Sequence, residues 1–418
     1  MAVLLPELLD DIFDLLRLSY DKTTLRACLL TSRDCRKRGI TNFLTYLHDC
    51  PDVGPHVRSL DLSPSMRGFR GRRDPGDVFD IDVQCVQSLL SLMVNLTSLT
   101  MGKLFIRVQM PPILTYPHTL VSDSPRCLRK LAMDSCQFMI PMDNGKERVD
   151  RESLKAGHLI LQFLSLFERI DTGKLEFESY LDDPAYSLED SAIQIELPPQ
   201  QIQMRSLLLC IRSPSPTSNV VRSCVALERI EELTLSFRGV LDPRILADFI
   251  SRASSSLRVF RLRTDSVRDP CLPDYDDLSL RPDLSKCPHL QTFGFETTLG
   301  FLNGHPLELW YRFCALLRTA PRTLSTIEIA VTDMDYWDRI EWSDLTEILL
   351  PFENLSRVYI FINKPKYRIG REDEGIPVGA KPPGGAVQEI KQSLSWLDKR
   401  GVLHVDPMGI LCDFPQMS

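Results

Sequence analysis

The sequence predicts an α/β solenoid, with a parallel sheet on a concave face, helices outside, and a short α-helical segment in front. Three observations carry this expectation. An apolar Leu-x-x-Leu-x-Leu spacing recurs ten times along 418 residues. Segments of helical period precede many of the copies. The residues before Val57 follow a different apolar pattern altogether.

The copies are Val57-Leu60-Leu62, Leu96-Leu99-Met101, Leu128-Leu131-Met133, a looser Ile170-Leu175-Phe177, and Met204-Leu207-Leu209. They continue as Ile230-Leu233-Leu235, Leu257-Phe260-Leu262, Leu290-Phe293-Phe295, Leu324-Ile327-Ile329 and Leu355-Val358-Ile360. Within each copy the fourth and sixth positions alternate with polar or mixed residues, the mark of a short half-buried strand. Helices are expected over Val83 to Val94, Ser153 to Glu168, from Asp242-Pro243 onward, Leu307 to Leu317, Leu345 to Leu350 and Ala386 to Leu397. Asp242 and Pro243 supply a cap and a first-turn proline. Leu403 with Val405 reads as a final strand.

The fourth positions recur with a mean period of roughly 33 residues. Ankyrin and tetratricopeptide arrays share that length, but no Thr-Pro-Leu-His signature and no strandless helix pairs are visible. One strand plus one helix per unit resembles the irregular, helix-rich type of leucine-rich repeat. Residues 41–410 form this array and 411–418 a tail. Its long inserted loops are expected at Pro64 to Gly76, Pro111 to Pro125, Tyr180 to Gln201, Thr264 to Pro288 and Asn363 to Gly385.

Composition narrows the functional classes. A formal net charge of −7 gives no basic surplus for phosphate contacts, so no nucleic-acid partner is expected. No apolar run approaches the roughly 18–20 residues of a membrane span, so no membrane partner is expected either. Met1 to Leu16 carries Glu7, Asp10, Asp11 and Asp14 with no early Lys or Arg, unlike a signal peptide. The 12 cysteines are spread singly, which fits a reduced intracellular setting, cytoplasmic or nuclear. Asn95-Leu96-Thr97 and Asn354-Leu355-Ser356 match the glycan acceptor pattern, but both overlap a strand entry and read as structural.

Before the array, Pro6 can start a helix whose Leu8, Leu9, Ile12, Leu15 and Leu16 share a broad apolar face. A second amphipathic stretch runs from Leu25 through Cys28 to Cys35, and a third from Ile40 to Leu47. Leu5-Pro6-Glu7-Leu8-Leu9, then Ile12, Leu15-Leu16, Leu25, Ala27-Cys28, Leu30 and Ser32-Arg33 resemble an F-box over residues 1–40. Phe43 to Leu47 through Val57 to Leu60 resembles the stretch just C-terminal to the F-box in mushroom-type fungal F-box proteins. Cys35 stands where family members commonly carry Trp.

The resemblance implies a substrate-recognition adaptor of a cullin–RING ubiquitin ligase. Its F-box helices would dock the Skp-family linker protein, and its repeats would hold an unknown protein substrate for degradation. Leu5, Pro6, Leu8, Leu9, Ile12, Leu25 and Cys28 would then supply the partner-binding anchors. The alternative is a leucine-rich-repeat interaction scaffold whose N-terminal helices only cap the solenoid.

No Gly-x-Gly-x-x-Gly, Walker, Gly-x-Ser-x-Gly or His-Glu-x-x-His motif occurs. No cysteine pair has zinc-site spacing. The expectation is a protein that is not an enzyme, with no cofactor, no metal and no catalytic residue. His404-Val405-Asp406 reads as a strand edge. Target contacts are expected on the concave face, at Lys130, Glu176, Glu232, Arg261, Arg263, Glu328, Arg357 and Tyr359. Mixed charge along that face suggests a polypeptide partner rather than a polyanion.

Overall fold

A computed structural model describes residues 47–62, 79–102, 104–107, 126–139, 160, 163–177, 201–212, 216–238, 243–265, 282–298, 306–332, 340–363 and 385–406. The F-box-like segment 1–40 and most of each expected loop lie outside the described residues. The chain divides into two compact units, Met1–Phe167 and Glu168–Ser418.

The first unit contains β1 (Ser59–Asp61), β2 (Phe79–Asp82), α1 (Val83–Leu92), β3 (Ser98–Gly102), β4 (Leu104–Arg107) and β5 (Arg126–Met139). Strands β1, β3 and β5 pair in parallel, with Leu60, Leu99 and Leu131 in one row. Helix α1 buries Val86, Leu89 and Leu90, the face its helical period marks, and Met93 just beyond its end is buried as well. A side ladder joins β2 to β4 and β4 to β5. Strand β5 changes partner from β3 to β4 around Ser135, whose φ of 53° is the one left-handed non-glycine conformation among the described residues. Beside it the buried Cys136 thiol donates to the Met101 carbonyl at 3.4 Å.

The second unit is a run of parallel strands in chain order, each paired with its neighbour. It comprises β6 (Phe167–Phe177), β7 (Gln203–Arg212), α2 (Pro216–Cys224), β8 (Glu232–Arg238), α3 (Pro243–Ala253), β9 (Val259–Asp265) and β10 (Thr292–Thr298). It continues with α4 (Pro306–Arg318), β11 (Thr326–Thr332), α5 (Trp342–Leu349), β12 (Arg357–Asn363), α6 (Ala386–Ser393), α7 (Ser395–Lys399) and β13 (Leu403–Asp406). This order is compatible with a solenoid of strand–helix units. The repeat's fourth positions form one buried row, Leu207, Leu233, Phe260, Phe293, Ile327 and Val358, and the sixth positions form a second row beside it.

Helices cover the face on which these two rows stand. Phe313 of α4 stacks on Phe293 and Phe295 at 5.6 and 4.6 Å between centroids, and Trp310 lies 5.3 Å from Phe313. Trp310 in turn meets Trp342 of α5 edge-on at 5.2 Å. The residues between the rows therefore stand on the opposite face. That face is covered toward β8, where Thr234 and Ser236 are 2% and 6% exposed, and more accessible toward β12 and β13, where Tyr359 is half-buried and His404 exposed.

The turns before β3, β9, β11 and β12 are stitched to the preceding repeat by side chains. Asn95 Nδ2 donates to the Pro55 carbonyl at 2.8 Å and Asn354 Nδ2 to the Arg322 carbonyl at 3.3 Å. Ser256 and Thr323 hold the same position and donate to the Ile230 and Leu290 carbonyls at 2.8 and 3.0 Å. One position past the leading leucine, Thr97, Ser325 and Ser356 reach back to the carbonyls of Arg58, Gln291 and Ser325. This is what the two acceptor-like asparagines do in the fold.

Five details depart from the sequence reading. Register places Gly173, not Leu175, opposite Leu207, so the looser copy is a regular one with glycine at its fourth position. The Met204 side chain fills the space a side chain there would take, with its sulfur 3.0 Å from where a Cβ would stand. The helix expected to reach Glu168 ends earlier, because Phe167 already begins β6. The single helix expected over Ala386 to Leu397 breaks at Leu394, which turns inward and is fully buried between α6 and α7. Helix α2 and strands β2 and β4 are additional elements, and β9 and a short turn at Leu284–Lys286 shorten the loop expected from Thr264 to Pro288.

Candidate functional site

On the face of the second unit opposite the helices, one row carries Thr234, Arg261, Gly294, Glu328, Tyr359 and His404 across β8 to β13. A parallel row carries Ser236, Arg263, Glu296, Ala330, Phe361 and Asp406. Strand alternation puts both rows here, because the residues flanking each of them are the buried leucines and phenylalanines of the helix side.

The centre of the face is an ion pair that spans two strand steps. Arg261 Nε donates to Glu328 Oε2 at 2.7 Å and Arg261 Nη2 to Glu328 Oε1 at 3.1 Å, a side-on fork. Between them on β10 lies Gly294. A Cβ there would stand 2.8 Å from Arg261 Cγ and 3.3 Å from Glu328 Oε2. The missing side chain is the space through which the pair closes. Beside it, Arg263 Nε lies 2.8 Å from Glu296 Oε2 on the adjacent strand. The side chains of both pairs are largely shielded, at 16–31% exposure, so bulk water screens them less than surface ion pairs.

Gly294→Val is expected to separate Arg261 from Glu328. In a double-mutant cycle read by urea unfolding, Glu328→Gln costs about 0.5–1 kcal/mol in the wild-type background and close to nothing in the Gly294→Val background. An equal cost in both backgrounds would mean that the pair does not need the gap.

Next to the charges stands a ring array. Tyr359 stacks on Phe361 at 5.9 Å with 12° between planes, and on His404 at 5.1 Å with 24°. Tyr359 and Phe361 are half-buried and His404 is exposed.

The structure thus brings Arg261, Arg263, Glu328 and Tyr359 of the expected residues into one continuous patch. Glu232 and Arg357 stand one row away, at the strand starts, and Ser206 Oγ donates to Glu232 Oε2 at 3.4 Å. Glu176 lies on β6 opposite Cys210 and is only 2% exposed, so it presents no open carboxylate. Lys130 belongs to the first unit, half-buried on β5 opposite Ser98. Leu5, Pro6, Leu8, Leu9, Ile12, Leu25 and Cys28 lie outside the described residues. Sequence reasoning did not single out Gly294 or Phe361, and it read His404 only as part of a strand edge. The outward positions flanking Ile360 and Val405 were the signal for the two rings.

Among the described residues no group of three or more His, Cys, Asp or Glu could hold a metal ion. No described helix is long and apolar enough to cross a membrane. Burial pushes the Cys224 thiol up to about 12, against a backbone hydrogen bond that lowers it. Burial also takes Cys314 up to about 12, with Arg318 opposing and Asp344 adding, and Cys287 up to about 11, reinforced by Asp283. Thiols held neutral at physiological pH are poor nucleophiles, so these three are core residues. No protein-family model matches the sequence, and no curated protein matches it.

Proposed function

We propose that the protein is a non-enzymatic substrate-recognition adaptor of a cullin–RING ubiquitin ligase, acting inside the cell. In this reading its units are leucine-rich repeats, the sheet they form binds a polypeptide target, and residues 1–40 form an F-box that docks the Skp-family linker. The recognition half draws support from the face opposite the helices, where two shielded ion pairs and a ring array lie side by side on a parallel sheet. Preorganised charge and aromatic surface of this kind suits a peptide chain of mixed character. The docking half draws support from the Leu5-Pro6-Glu7-Leu8-Leu9 segment and its placement ahead of the array.

The test is co-purification of the full chain with a Skp-family linker protein. Leu9→Asp and Ile12→Asp are each expected to weaken that association at least about tenfold. Undiminished binding by both variants removes the docking assignment. A second reading, a scaffold whose N-terminal helices only seal the array, is favoured by one observation: Leu47, at the end of the third expected helix, is fully buried. In that case a chain lacking residues 1–40 loses stability, and the full chain captures no linker.

A further inference from the structure

The edge at which β9, β10 and β11 begin carries charge that the fold leaves unused. We propose that this rim, through Arg258, Lys286 and Arg322, binds an acidic run of Asp and Glu in the target. The inference rests on the proposal that the target is a polypeptide.

The three entry turns, residues 254–259, 284–292 and 319–326, contain no Asp or Glu. Hydrogen bonds join them into one ledge. Gln291 N donates to the Arg258 carbonyl at 2.8 Å, and Ser325 N to the Gln291 carbonyl at 2.9 Å. Thr323 Oγ1 donates to the Pro288 carbonyl at 3.1 Å, and Leu284 N to Thr319 Oγ1 at 2.9 Å. Arg258, Lys286 and Arg322 are all exposed on this ledge, and no described residue pairs with any of their side chains.

The neighbouring carboxylates are engaged elsewhere or set apart. Glu231, whose carbonyl accepts from Arg258 N, has its carboxylate held by Arg205 Nε at 3.2 Å. Asp283 Oδ1 accepts from Ser285 N at 2.9 Å. Glu353 is exposed in the next entry turn and bounds the rim on the β12 side. In a chain of net charge −7, an acid-free strip with three unpaired cations is a local reversal of sign. Such a reversal attracts and orients an anionic partner.

Two features choose that partner. The cations are spread over two strand steps, about 10 Å, which fits carboxylates spaced along an extended peptide better than one convergent phosphate. The three turns also hold no Phe, Tyr or Trp, so nucleobases would find no such ring to stack on.

The test is fluorescence anisotropy of a fluorescein-labelled peptide of Ser-Glu repeats with the full chain. The peptide is expected to bind saturably, and more weakly as salt is raised. A peptide of Ser-Gln repeats is expected to bind at least about tenfold more weakly. Arg258→Gln and Arg322→Gln should each weaken binding of the Ser-Glu peptide about threefold, and about tenfold together. Arg258→Lys with Arg322→Lys keeps both charges and is expected to bind as wild type, which separates lost charge from lost structure. Lys399→Gln removes an exposed cation of α7 instead and should leave binding unchanged. No binding, equal binding of the Ser-Gln peptide, undiminished binding by the double Gln variant, or an equal loss in Lys399→Gln overturns the proposal. So does tighter binding of a labelled oligouridylate through the same two arginines. Linker capture, measured separately, keeps the two readings apart. A chain that captures the linker but ignores the Ser-Glu peptide defeats the rim alone. One that binds the peptide through the rim but captures no linker defeats the adaptor reading alone.

Discussion

Replacing Phe313 by alanine is expected to destabilise the second unit by about 3–5 kcal/mol, the upper range for truncating a buried aromatic side chain. Phe313 is 1% exposed and stacks on Phe293, Phe295 and Trp310, so one side chain joins two strand-row positions of β10 to helix α4. Phe293 continues the stack to Phe260 of β9 at 5.7 Å. Truncation leaves a cavity bounded by sheet on one side and by Trp310 on the other, and a packed sheet cannot collapse far into it. Tryptophan fluorescence during urea unfolding checks this directly, because Trp310 borders the site. Phe313→Leu is expected to recover about half of the loss. A midpoint change worth less than about 1 kcal/mol would show that the ring stack does not hold α4 to the sheet.

Gly54→Ala is expected to cost the first unit about 2–3 kcal/mol by overpacking. Gly54 opens the short 3-10 turn Gly54–His56 and is buried. A Cβ there would run into the Leu92 carbonyl oxygen and lie 3.1 Å from the Leu92 carbonyl carbon. Those are backbone atoms at the end of α1, so no rotamer change relieves the clash and the turn itself must move. Leu92 is followed by Met93, which is fully buried, so displacing the helix end also disturbs the core. Amide hydrogen exchange should report the change as lost protection at Val57 and Met93, whose N–H groups donate to Gly54 and Leu89. Unchanged protection would place the slack elsewhere.

The strands that a single sequence revealed are those whose inward positions are large and apolar on both sides of an outward residue. Leu233-Thr234-Leu235 and Ile327-Glu328-Ile329 declare their register at once. Where one inward position is empty, as at Gly173, the pattern slips by two residues, because only the neighbour's Met204 shows that the row continues. Strands β2 and β4 were hidden for another reason. Phe79-Asp80-Ile81-Asp82 is too short to stand out, and Leu104-Phe105-Ile106-Arg107 comes after β3 with only Lys103 between. Helix α2 begins Pro216-Thr217-Ser218-Asn219, a composition that reads as a turn until Val221 and Cys224 are seen to be buried.

For the candidate site, charge was legible and pairing was not. Arg261 and Glu328 are 67 residues apart, and what joins them is a glycine on the strand between, which carries no polar signal of its own. His404 was passed over as a strand edge. It is that, and the edge is also where it meets Tyr359.

Four of the stitches at the strand entries share a direction. Asn95, Ser256, Thr323 and Asn354 each donate to a carbonyl that precedes them by about one unit, so in these contacts the acceptor is the older part of the chain. A ribosome delivers the protein in that same order. At these four entries the emerging turn finds its docking carbonyl already made, so there the order of docking matches the order of synthesis.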